Sequence, residues 1–164
     1  MVFPRDNKTT TRGILMKLAS MVSMAALVAI AFSVTAALAA ENPILARQEL
    51  MKANGKHAKM GVAMVKGEAP FDLAKAKEIF ATFENAAAKM PDLFPADSKT
   101  GHDTTASPKI WENMADVKAR FKKLGDDAKA ASASVKDLAS FKTAFGAIGK
   151  DCGGCHKEYR IKKN

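Results

Sequence analysis

From Asn42 to Arg160 the apolar positions recur alternately three and four residues apart in four stretches, the spacing of amphipathic helices packed at a shallow angle. The first, from about Pro43 to Lys66, opens with Asn42 as cap and Pro43 in the first turn. Its inner stripe is Ile44, Met51, Gly55, Ala58, Val62 and Val65. The second follows the cap Asp72 with Leu73, Ala76, Phe80, Phe83, Ala87 and Met90, and Pro91 ends it. A polar connection containing Pro95 and Gly101 leads to Ser107-Pro108, another cap-and-proline start, and to the stripe Ile110, Met114, Val117, Phe121, Leu124, Ala128, Ala131. The fourth begins near Ser134 or Asp137 and runs through Leu138, Phe141, Phe145, Ile148, Cys152, Cys155 and Tyr159 without a slip. No stretch alternates with period two or is enriched in β-branched residues, so strands are not predicted. Four helices of about 18 to 26 residues, roughly 27 to 39 Å each, joined by three connections, predict an all-α, antiparallel four-helix bundle.

The first forty residues follow a different pattern. Arg5, Lys8, Arg12 and Lys17 precede an uncharged apolar run from Leu18 to Leu38, which ends in Ala37-Leu38-Ala39. Basic, greasy and small, in that order, is a secretory signal peptide with its cleavage site. The run is also long enough to span a bilayer, so an uncleaved anchor is the competing reading; its richness in Ala and Ser and its small-residue end favour cleavage. No Arg-Arg pair precedes it, which favours the general secretory route over the twin-arginine one. Met16 would make a more ordinary start than Met1. The chain thus divides into a cleaved signal peptide, 1–40, and one domain, 41–164, expected in the periplasm and free of the membrane after cleavage.

Cleavage changes the charge. The whole chain has 26 Lys+Arg and 17 Asp+Glu, +9; without Arg5, Lys8, Arg12, Lys17 and Asp6 the balance is 22 to 16, or +6. The cations are interleaved with acids on most turns, as on a solvated helix surface. No basic cluster with interleaved aromatics appears, which argues against nucleic acid as a partner.

The only two cysteines lie in Cys152-Gly153-Gly154-Cys155-His156. C-x-x-C followed at once by His is the spacing of covalent c-type haem attachment. On a helix, residues three and four apart share a face. Cys152 and Cys155 can therefore bond two vinyl groups while His156 offers its imidazole to iron. A thioredoxin-like dithiol needs a βαβ context, and a zinc site needs two more ligands. A plain disulfide suits the compartment but leaves the histidine unexplained. One haem c is therefore expected at the C-terminal end of the last helix. The sixth ligand decides what such a haem does, since a filled site carries electrons and an open one binds small molecules. Measured from Met51 at 100° per residue, His57, Met60 and Met64 fall at about −120°, 180° and −140°. Met51 is then the ligand-capable side chain facing inward from the first helix, with small Gly55 and Ala58 beside it. The competing reading makes Met51 core filler. His57 is expected on the surface and His102 in a loop.

The sequence also resembles the class II c-type cytochromes, the cytochrome c′ family, themselves four-helix bundles. The strings that carry the resemblance are Arg47-Gln48-Glu49-Leu50-Met51, Lys66-Gly67-Glu68-Ala69-Pro70-Phe71-Asp72, Leu93-Phe94-Pro95, Pro108-Lys109-Ile110-Trp111 and Gly149 to Arg160. In five-coordinate members the position of Met51 holds Leu, Phe or Tyr; in the low-spin cytochrome c-556 branch it holds a methionine that binds iron. The resemblance further implies Arg47 near a haem propionate, Arg160 on the proximal side, and Trp111 and Phe94 at the haem edge, with Tyr159 packed on the macrocycle. A solvated helix arginine competes at Arg47, a cation stabilising the helix C-terminus at Arg160, and an ordinary core role at Trp111 and Phe94. The expected function is a monohaem electron carrier with His156 and Met51 on the iron, docking redox proteins with acidic surfaces, and not an enzyme. The alternative is a five-coordinate binder of nitric oxide or carbon monoxide, with Met51 only lining the pocket. Monomer and homodimer are both compatible with the stripes.

Overall fold

The computed structural model describes residues 42–162, and the expected signal peptide lies outside them. Helix α1, Pro43–Lys66, starts where Asn42 Oδ1 accepts the backbone N–H groups of Ile44 and Leu45. It stops at Gly67, whose φ of 77° suits glycine, with Glu68 N–H returned to the Ala63 carbonyl. Asp72 accepts the Lys75 N–H and opens α2, Leu73–Lys89. Pro91 does not stop the chain bluntly: the last turn tightens into a 3₁₀ turn over Met90–Leu93, followed by another at Ala96–Ser98.

The expected third helix is two. Helix α3, Lys109–Glu112, is separated from α4, Met114–Ser134, by Asn113 at φ −126° and ψ 40°. The Asn113 backbone N–H closes the last helical bond of α3 to the Lys109 carbonyl, and its Nδ2 donates to the same oxygen, a side-chain bond that competes with continued helix. Trp111 meanwhile donates from its indole nitrogen to the carbonyls of Phe94 and Pro95, which holds α3 against the 3₁₀ turns. Helix α5, Leu138–Tyr159, begins at a capping box in which Asp137 accepts Ser140 N–H and Ser140 Oγ accepts Asp137 N–H. Its far end is tied to the 99–108 connection by Ser107 N–H to the Tyr159 carbonyl and Ile161 N–H to that of Thr105.

Helices α1, α2, α4 and α5 form the antiparallel four-helix bundle that the spacing predicts. Ala76, Phe80, Phe83, Ala87, Met90, Val117, Phe121, Leu124, Ala128, Ala131, Phe141 and Ile148 are buried as expected. Leu73 is exposed instead. The face of α1 needs a larger correction. Arg47, Gly61 and Met64 are buried, Gly55 is exposed, and Val62 is 39% exposed. The inner line follows Ile44, Arg47, Met51, Asn54, Ala58 and Gly61, the same three-four spacing carried partly by polar and small residues. Gly61 belongs on it because a β-carbon there would lie 2.6 Å from Phe145 Cζ, so only glycine lets the ring approach. His57, expected on the surface, has a side chain only 14% exposed, with Nδ1 3.0 Å from the Ala53 carbonyl and Nε2 3.3 Å from Glu78 Oε1 on α2.

Aromatic rings fill one end of the bundle, where Phe141 meets Phe71, Phe80 and Phe145 at centroid distances of 5.9, 5.5 and 5.2 Å. No helix among the described residues is long and apolar enough to cross a membrane.

Candidate haem site

The other end of the bundle holds a cavity of about 670 Å³. The last turns of α5 place Cys152, Cys155, His156 and Tyr159 on its wall, the consequence of an unbroken apolar stripe that runs into the motif. Helix α1 contributes Met51, Asn54 and Ala58, and α4 contributes Val117, Phe121 and Leu124. The end of α2 adds Phe83 and Met90, and the connection to α3 adds Phe94 and Thr104 to Ala106.

Neither cysteine is in a disulfide. Burial pushes both thiols above their ordinary range, with Asp151 adding to the rise at Cys152 and Arg120 opposing it at Cys155. His156 is shifted the other way, first by burial and then by the Arg160 cation, which favours the neutral imidazole that can ligate a metal.

Arg47 is neither a solvated helix arginine nor a free one. It is 5% exposed, its Nη1 donates to the Leu93 carbonyl and to Ser98 Oγ at 2.9 Å, and its Nη2 donates to the Ser98 carbonyl at 2.9 Å. Its guanidinium carbon also lies 4.7 Å from the Phe94 ring centroid. These contacts pin α1 to the 3₁₀ turns and use three of five donors. Every acceptor is neutral: no carboxylate among the described residues lies in ion-pair range, and burial lowers its pKa. Buried charges are normally compensated, so a cation on a cavity wall without a carboxylate suits an anionic group of the occupant, such as a haem propionate. With two thiols three residues apart, a neighbouring imidazole and an otherwise apolar wall, these residues fit a haem c.

Phe94 is on the cavity wall, whereas Trp111 stands one layer back, edge-on to Phe94 at 5.7 Å and 82°. Arg160 borders the cavity from the C-cap of α5, where its own N–H returns to the His156 carbonyl. Tyr159 is buried, and its hydroxyl donates to Asp116 Oδ2 at 2.6 Å. Arg120 donates to the same oxygen at 2.7 Å. The Tyr159 hydroxyl and then Arg120 hold the Asp116 carboxyl below the usual range, while Asp116 raises the tyrosine.

Sequence reasoning missed three features of this site. Asp116 and Arg120 read as an ordinary i,i+4 pair, and nothing local joins them to Tyr159. Lys123 bridges Asp127 at 2.6 Å and both oxygens of Asp151 at 2.9 Å, which pushes its pKa up to about 12 and clamps α4 to α5 beside Cys152. Asn54 faces the cavity with its Oδ1 shut off from solvent and reached by no donor among the described residues. Its signal was the three-four register itself, which continues from Met51 through Asn54 to Ala58.

Over residues 42–160 the chain matches the family described as Cytochrome C′. It is 43% identical over 128 residues to a cytochrome c′ of Rhodopseudomonas palustris, covering 78% of this chain and 88% of that one. It is 44% identical over 118 residues to a cytochrome c-556 of Agrobacterium fabrum, covering 71% and 80%. Among solved structures, cytochrome c′ from Rhodopseudomonas palustris superposes with a TM-score of 0.73 at 43% identity, covering 75% of this chain and 98% of that one.

Proposed function

Because this chain belongs to the cytochrome c′ family, we propose that it is a periplasmic, monohaem electron carrier of the low-spin, cytochrome c-556 kind. Cys152 and Cys155 hold one haem c through two thioethers, and His156 and Met51 are the iron ligands. The haem, when bound, supplies an iron that takes up and releases one electron. The chain does the rest. His156 and Met51 keep the same coordination in both oxidation states, and a His/Met pair raises the reduction potential relative to harder ligands. Arg47 meets the propionate charge, Arg160 stands on the proximal side beside His156, and Phe94, Phe121 and Tyr159 exclude water from the ring. The observation that carries this reading is that Met51 lines the same cavity as Cys152, Cys155 and His156.

Met90 also reaches that cavity, from the end of α2. The test is therefore a pair of substitutions read by absorption spectroscopy of the ferric protein. Met51→Ala converts a low-spin spectrum with a methionine-to-iron charge-transfer band into a high-spin one and opens the site to carbon monoxide; Met90→Ala leaves the band in place. A wild-type protein that is already high-spin would instead establish the five-coordinate binder of nitric oxide or carbon monoxide. Loss of the band in Met90→Ala alone would move the ligand to Met90, in the 3₁₀ turn after α2.

Redox partners with acidic surfaces suit the cavity lining, where Lys150 and Arg160 are in no ion pair among the described residues. Electron transfer to such a partner is expected to slow as salt rises. Export follows from the segment 1–40, and the mass of the mature protein, chain from about Glu41 plus one haem, tests it.

A further inference from the structure

We infer that Asn54 is a positioning residue for Met51, donating a hydrogen bond from its side-chain amide to the methionine sulfur. This rests on the reading of Met51 as an iron ligand and extends it to what holds that ligand. In a helix, side chains three apart share a face, and each leans towards the turn before its own Cα. Asn54 therefore leans over the turn that carries Met51, and both side chains line the cavity. Its Oδ1 is fully shielded and has no donor among the described residues, whereas its Nδ2 is not shut off in this way. A buried carbonyl oxygen left unpaired keeps the full cost of its lost hydration. Rotating the amide by half a turn about its last bond removes that cost. The amide nitrogen then points inward, on the side of the preceding turn that carries Met51, whose thioether is an acceptor, and the oxygen points to the side where water can reach it.

A donor on the sulfur withdraws electron density from the ligand. That disfavours the ferric state more than the ferrous one and keeps the sulfur facing the iron. The test is a double-mutant cycle on the haem-loaded protein with Asn54→Leu and Met51→Ala, read by redox titration. Asn54→Leu is expected to shift the ferric/ferrous equilibrium towards ferric by about three- to tenfold, as befits one hydrogen bond; the upper figure is about 59 mV for one electron. In the Met51→Ala background the same substitution is expected to shift it by less than twofold. An equal shift in both backgrounds, or none in either, overturns the inference while leaving Met51 as ligand. A wild-type ferric spectrum without methionine ligation removes the reading of Met51 itself. Should Asn54→Leu fail to fold, side-chain amide NMR of the wild type decides: slowly exchanging Asn54 Nδ2 protons support the bond, and fast exchange overturns it.

Discussion

The two ends of the bundle use the same four helices in opposite ways. At the closed end, rings from α2 and α5 meet with centroids 5 to 6 Å apart, and Gly61 removes its side chain so that Phe145 can press against α1. At the open end, the same stripes part around about 670 Å³ and carry groups that the protein itself does not fully satisfy. Among the described residues these are two unbridged thiols, a buried guanidinium with only neutral acceptors, and a shielded amide oxygen with no donor. Such local inconsistencies are expected where function resides, and the closed end is where stability is built. The difference teaches that packing dominates the closed end, whereas the open end carries polar and nucleophilic groups whose partners would come from a bound group.

Substitutions at the two ends should therefore separate stability from spectrum. The largest expected effect is at the closed end: Phe141→Ala, at a wholly buried ring touching three others, should cost about 3–5 kcal/mol in denaturant unfolding. The spectrum of the folded fraction should be unchanged, and an altered one would break the division between the ends. Arg47→Leu, at the open end, strands the Leu93 and Ser98 carbonyls. It should cost about 1–3 kcal/mol and also shift the reduction potential, because a cation leaves the cavity wall; a potential that stays fixed would detach Arg47 from the haem. Gly61→Ala should cost about 1–3 kcal/mol through overpacking against Phe145, with the spectrum again unchanged.

The smallest effect sharpens the same contrast through pH. Asp137, capping α5 at the closed end, has its carboxyl held below the usual range, first by the Ser140 hydroxyl and then by the Ser140 N–H. A depressed folded-state pKa means that the cap stabilises fully above the unfolded carboxylate value and loses that contribution as pH falls through the lower folded value. Thermal unfolding of the wild type should therefore decline in acid slightly more steeply than that of Asp137→Asn, with no accompanying spectral change.

Legibility in the sequence followed the range of the interactions. The helix starts at Asn42-Pro43, Asp72 and Asp137 were readable because a cap and the N–H groups it satisfies lie within three residues. The stripes of α2, α4 and α5 were readable because their buried positions are apolar. On α1, Arg47, Asn54 and Gly61 occupy contact positions with residue types that hydrophobicity scores as surface, so the inner face was assigned too far towards Val62. The break at Asn113 was hidden for a similar reason, since the stripe Ile110, Met114, Val117 continues across it in perfect spacing.

Sequence alone thus determined the helices, the caps at Asn42, Asp72 and Asp137 and the Cys152–His156 motif, because each depends on residues within a turn or two of one another. Tertiary structure decided which face of α1 is inside, where Arg47 spends its donors, that Tyr159 answers to Asp116, and that Asn54 lines the cavity with its Oδ1 met by no donor among the described residues. Each of these depends on a group brought close only by packing: Leu93 and Ser98 are 46 and 51 residues from Arg47, and Asp116 is 43 from Tyr159. A polar residue can take a buried position only if such a distant partner, or an occupant of the cavity, is there to meet it.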